Sequence, residues 1–85
     1  EAMRAGGGVA LADRRWRFRT WTRCFVGSEA VDWLVRHKHA ETREEAVDMG
    51  NLLFLAGLLH HVAGDHFFKD AHLFYRFTAD THRAD

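Results

Sequence analysis

The chain has no proline, and its one cysteine is Cys24. A lone cysteine excludes an intramolecular disulfide, so packing alone must hold the fold, and the chain suits a reducing compartment. No apolar run reaches the ~20 residues of a spanning helix. The longest, residues 52–59, is interrupted by Gly57 and suits a core helix. The start lacks a signal-peptide pattern, so membrane contact is expected to be peripheral, from the cytoplasm. No Ser-His-Asp set, glycine-rich phosphate loop or paired-carboxylate cleft is readable, so neither an enzyme nor a cofactor is expected.

What is present suffices for one domain. The 85 residues are 47% hydrophobic and 13% aromatic, enough for a small efficient core. The expected extent is a single unit over residues 1–85, with its core at about 9–77. The zero net charge hides a division. Up to Phe25, six arginines stand against Glu1 and Asp13, an excess of four positive charges, and the remainder carries the opposite excess. Segregated charge directs association rather than folding.

Without proline, glycine does the punctuating. Gly6-Gly7-Gly8 closes a short N-terminal segment read as the end of a helix. Period-two alternation then predicts a strand from Trp16, with Trp16, Phe18 and Thr20 on one side and Arg17, Arg19 and Trp21 on the other. Residues 9–11 can pair with it through a loop at 12–15. Ser28 is placed to cap a helix over 28–37 with a core stripe of Val31, Leu34 and Val35 and with Trp33 at its margin. Thr42 and Glu45 form a capping box, each side chain reaching the other's backbone N–H. The helix behind it carries apolar residues at 46, 49, 53 and 56, and Gly57 stands where a left-handed C-terminal cap belongs. Strands are expected at 59–62, 66–69 and 73–77, and residues 78–85 read as a frayed polar tail. The sum is an α+β, winged-helix-like architecture: a three-helix core, a β-hairpin between the first two helices, and a short C-terminal antiparallel sheet.

Five stretches then carry a resemblance. Asp13-Arg14-Arg15-Trp16-Arg17-Phe18-Arg19-Thr20-Trp21, with Cys24-Phe25-Val26-Gly27-Ser28-Glu29-Ala30-Val31-Asp32-Trp33-Leu34 behind it, resembles the signature of the DEP family. Arg43-Glu44-Glu45-Ala46 is similar to that family's third-helix start. Ala56-Gly57-Leu58-Leu59-His60-His61-Val62 and the run from Phe68-Lys69-Asp70 to Leu73-Phe74-Tyr75-Arg76-Phe77 complete the likeness. It implies a non-catalytic module of intracellular signalling proteins, among them regulators of heterotrimeric G proteins and exchange factors for small GTPases. Such domains recruit their parent to membranes or hold protein partners, so the inner face of the plasma membrane is the expected location. Where many members have Pro-Asn before the Cys-Phe step, this chain has Thr22-Arg23.

The candidate contact residues are Arg14, Arg15, Arg17, Arg19, Trp21 and Arg23. Near an anionic leaflet each arginine contributes on the order of 1 kcal/mol, enough together for weak recruitment. The same residues suit an acidic protein segment. The alternatives are a winged-helix nucleic-acid reader and a structural domain packing against its neighbours. The first is disfavoured because the helix over 42–57 sets Arg43 against Glu44, Glu45 and Asp48, and phosphate contacts need cations. The pairs His37/His39 and His60-His61 lack metal-site spacing, so no metal is expected. Cys24 reads as a buried, inert thiol. Trp16, Phe18, Trp33, Phe54, Phe67, Phe74 and Phe77 read as core, and the chain as a monomer.

Overall fold

The computed structural model describes residues 8–83; the helix end expected before the glycine triplet lies outside them. In chain order the elements are β1 (Ala12–Trp16), β2 (Arg19–Val26), α1 (Gly27–Arg36), α2 (Arg43–Leu55), β3 (Leu59–His61), β4 (Phe74–Phe77) and a 3-10 helix over Thr78–Arg83. The strands form one antiparallel sheet in the order β1-β2-β4-β3. The α+β class and the C-terminal sheet agree with expectation. Of the three helices foreseen, the described residues hold the second and third.

The hairpin sits differently from the sequence reading. Trp16 pairs with Arg19 and Arg14 with Trp21, so the turn is the dipeptide Arg17-Phe18, with φ of 55° and 60°. Two left-handed central residues make the tight turn whose twist matches a hairpin, a place where Asn-Gly is favoured. Neither residue announces a turn, so the alternation from Trp16 to Trp21 looked unbroken. Ala12 pairs with Cys24 while Arg14 pairs with Trp21, which leaves one extra residue in β2. Arg23, at φ 51°, absorbs that bulge.

Helix α1 starts on glycine because the chain behind it is too close for a side chain. A Cβ on Gly27 would collide with the Lys69 carbonyl and lie 2.9 Å from the Tyr75 ring. Ser28 is not the cap. Val26 holds that position without a side-chain bond, while the Gly27 and Ser28 N–H groups donate to the Leu73 and Ala71 carbonyls at 2.9 and 3.0 Å. Trp33 is buried rather than marginal. At the far end Lys38 is left-handed, φ 62°, and the Lys38 and His39 N–H groups close onto Val35 and Leu34. That is a Schellman ending with lysine where glycine is usual.

Helix α2 follows its sequence signals more closely. Thr42 Oγ1 accepts from the Glu45 N–H at 3.1 Å, while the Glu45 carboxylate accepts from the Glu41 N–H at 2.8 Å, one residue before the expected partner. Gly57 is left-handed at φ 78°, with Gly57 and Leu58 donating to Phe54 and Leu53. The buried stripe is Ala46 and Gly50, flanked by partly buried Met49 and Leu53, and Ala56 is exposed. Gly50 is there because the Phe68 ring fills the space of its missing side chain.

Residues 66–69 form no strand. They run within the connection 62–73, pinned by the Tyr75 hydroxyl, which donates to the Phe67 carbonyl at 2.7 Å and accepts from the Lys69 N–H at 3.0 Å. Phe25, Val31, Leu34, Leu59, Phe68, Tyr75 and Phe77 make the core between sheet and helices. Residues 78–83, read as a tail, turn into the 3-10 helix and bury Asp80 against Arg23, 3.2 Å away.

Candidate functional site

The six candidate residues divide into two groups. Arg14 lies along the body of the domain: its Nε donates to the Cys24 carbonyl at 3.2 Å and its guanidinium covers the Phe74 ring. Arg23 is held by Asp80, and its N–H donates to Asp13 Oδ1 at 3.2 Å. Both are structural ties at the root of the hairpin. Arg15, Arg17 and Arg19 are exposed towards its tip.

The tip is organised by stacking. Arg17 lies 4.2 Å over the Trp16 ring and Arg19 lies 4.3 Å over Trp21. The two indoles approach each other at 6.5 Å, and Trp21 Nε1 donates to the Trp16 carbonyl at 3.2 Å. Trp21 is therefore half-buried on Trp16 rather than free. Stacked guanidiniums keep their charge while the rings restrict their motion, so the cations are held in place. Phe18 is the residue that sequence reasoning missed. Assigned to the core by alternation, it stands 95% exposed at the tip of the turn. Its position in Arg17-Phe18-Arg19, apolar between two cations, is the signal that could have marked it as a surface residue. Phe67, also read as core, is exposed.

The hairpin meets the rest of the domain at the turn after β3. Arg17 Nη1 lies 3.1 Å from Asp65 Oδ2, and the Trp16 ring meets His61 edge-on at 5.4 Å. His61 is buried, and its Nδ1 accepts from the Ala63 and Asp65 N–H groups at 3.2 and 3.3 Å. Burial and the neighbouring His66 hold its pKa below the ordinary imidazole value. A cleft of about 240 Å³ lies between Arg15, Trp16, His61, His72, Leu73 and Phe74.

His37 and His39 are packing groups that stack on Trp33 at 4.3 and 5.1 Å. Among the described residues no three His, Cys, Asp or Glu side chains are grouped to hold a metal ion. Cys24 is fully buried, and desolvation pushes its thiol pKa up, which suppresses the reactive thiolate. Among the described residues no helix is long and apolar enough to cross a membrane.

A hairpin feeding two helices backed by a small antiparallel sheet defines a compact α+β domain of winged-helix type. The family model of the domain found in Dishevelled, Egl-10, and Pleckstrin matches residues 8–77, and the chain belongs to this DEP family. Its fold is that of the pleckstrin DEP domains. The human domain superposes with a TM-score of 0.79 at 24% identity, covering 91% of this chain and 70% of that one. The mouse domain gives 0.74 at 23%, covering 88% and 79%. In sequence the chain is 47% identical over 77 residues to the vacuolar membrane-associated protein IML1 of Coccidioides immitis, covering 89% of this chain and 4% of the relative. It is 40% identical over 73 residues to the protein of that name from Saccharomyces cerevisiae, covering 85% and 5%. The chain thus spans about one twentieth of the length of these relatives. DEP domains are in general non-catalytic modules, in keeping with the sequence reading.

Proposed function

We propose that this domain docks a larger signalling protein peripherally on an anionic membrane, with the β1–β2 hairpin as the contact element. One observation carries the reading: Phe18 is held 95% exposed, in a left-handed conformation, between Arg17 and Arg19. An aromatic residue there costs backbone energy that glycine would not, on the order of 1 kcal/mol. That cost makes sense where the ring does work outside the domain. At a lipid surface the ring enters the boundary between headgroups and acyl chains while Arg15, Arg17 and Arg19 meet anionic headgroups. Three cations and one ring give reversible recruitment, not anchoring.

The vacuolar membrane association in the names of the IML1 relatives supports the vacuolar surface as the location. It replaces the plasma membrane suggested by the wider family. A part in regulating a GTPase or G protein, which the family resemblance implies, belongs to this proposal for the longer protein. The test is co-sedimentation with phosphatidylcholine vesicles, with and without phosphatidylserine. The wild type pellets with the anionic vesicles and Arg17→Glu/Arg19→Glu does not; equal pelleting of the two proteins removes the reading. An acidic protein segment as the true ligand would show as no pelleting of either.

A further inference from the structure

A second surface has the opposite chemistry. Leu52 and Leu55, three residues apart on α2, are 68% and 79% exposed, and Leu58 just past the helix is 46% exposed. They continue a line that begins with Glu44 and Asp48, each one turn before the next residue, and all are solvent-facing. The outer face of α2 is therefore carboxylate in its first half and leucine in its second. Among the described residues Glu44 and Asp48 form no ion pair. Arg43, the helix's one cation, is held by Asp32 at 2.6 Å and Asp70 at 2.7 Å. The last turn has no basic residue, so the negative end of the helix dipole lies uncompensated beside the leucines.

The patch is firmly supported. Leu58 closes the helix end through its N–H to Leu53 and accepts at its carbonyl from the Thr78 N–H at 2.9 Å. Asn51 Nδ2 ties the neighbouring turn of α2 to the Phe68 carbonyl at 3.1 Å. Three exposed leucines in one line suit an interaction surface, and the charge beside them says which kind. An anionic bilayer is repelled by Glu44 and Asp48 in the first half of the face. The same face of a second copy offers Glu44 and Asp48 no free cation, since its Arg43 is already held by Asp32 and Asp70. A segment presenting leucine-sized side chains with lysines and arginines around them is complementary at both ends.

We propose that the outer face of α2 docks a basic amphipathic helix of a protein partner, separately from the hairpin. The domain then carries two contact chemistries, so that one molecule can hold a membrane and a protein together.

The probe is a fluorescently labelled helical peptide with leucines at i, i+3, i+4 and i+7 and lysines on their flanks, titrated by anisotropy. The control is the same peptide with glutamates for lysines. The wild type binds the lysine peptide and not the control. Leu52→Ser/Leu55→Ser weakens that binding about tenfold or more, with its circular dichroism and vesicle pelleting unchanged. Glu44→Lys/Asp48→Lys reverses the preference between the two peptides. The proposal is overturned if the lysine peptide fails to bind, or if the leucine variant binds it as the wild type does. It is equally overturned if the leucine variant loses vesicle pelleting, which would make the face a lipid contact. A wild-type dimer in sedimentation that the leucine variant turns to monomer would assign the face to self-association instead.

Discussion

Arg17 at the hairpin tip and Asp65 after β3 face each other at 3.1 Å, so one of the three exposed tip arginines is partly neutralised by the domain's own carboxylate. A lipid phosphate and Asp65 therefore compete for the same guanidinium. Replacing Asp65 with asparagine releases that charge. The expected gain in affinity for anionic vesicles is up to about fivefold, from roughly 1 kcal/mol per free cation at the surface. Stability should change by no more than about 0.5 kcal/mol, because the pair is solvent-exposed. Vesicle titrations of the two proteins at one salt concentration check this, and an unchanged affinity contradicts it.

Gly50 tests whether helix propensity or packing governs α2. Alanine is favoured over glycine in a helix interior by about 1 kcal/mol. Here its methyl group would collide with the Phe68 ring, itself fully buried. Overpacking costs about 1–3 kcal/mol, so Gly50→Ala is expected to lower the urea midpoint despite the better propensity. A raised midpoint would mean that Phe68 yields easily.

Lys38 gives the opposite outcome. Its left-handed position at the end of α1 favours glycine, and its side chain is exposed. Lys38→Gly should stabilise the domain by about 1 kcal/mol. Vesicle binding should be unaffected, since Lys38 lies outside the hairpin. Urea titration together with vesicle pelleting reads both effects.

Two histidines of β3, His61 buried and His60 half-buried, set a pH dependence of known sign. His60 and His61 are both held below the ordinary imidazole pKa of 6.5, chiefly by burial. The unfolded chain therefore takes up protons that the folded chain refuses. Stability is fully present above about pH 6.5 and declines as pH falls below it. Protonation of His61 would also set Nδ1–H against the Ala63 and Asp65 N–H donors. Urea midpoints should fall between about pH 7.5 and about pH 5.5, and fall less for His61→Asn. At lower pH Asp70 adds a second loss. Its bonds to Arg43 depress its carboxyl pKa, so its contribution persists above the unfolded value and disappears as pH falls through the folded one.

How much of this was legible depends on whether the signal was local. The Thr42 cap, the Gly57 ending, the strand carrying Tyr75 and Phe77 and the buried Cys24 all rest on neighbours within a turn or a strand, and they appear where the sequence put them, although Arg76 between the two aromatics is buried as well. The misplaced elements are held from a distance. Residues 66–69 looked like a returning strand behind the turn at 63–65, but the Tyr75 hydroxyl and Asn51 take the backbone groups of Phe67, Phe68 and Lys69 instead. The 3-10 helix looked like a tail because Asp80 is held by Arg23, a partner across the fold. The hairpin turn was missed for another reason. Its residues violate turn preference, and the violation lies at the proposed contact point, where a departure from local rules carries functional information. The arginines of the candidate site were visible in the sequence, whereas the division into structural Arg14 and Arg23 and exposed Arg15, Arg17 and Arg19 needed coordinates.

That violation gives the most direct test of the hairpin's role: one variant, Phe18→Gly, measured for both stability and vesicle binding. Glycine suits the left-handed turn, so the urea midpoint should rise by about 1 kcal/mol of stability. Affinity for phosphatidylserine vesicles should fall roughly tenfold as the exposed ring that would enter the lipid is lost. A variant that binds those vesicles as tightly as the wild type would contradict the account.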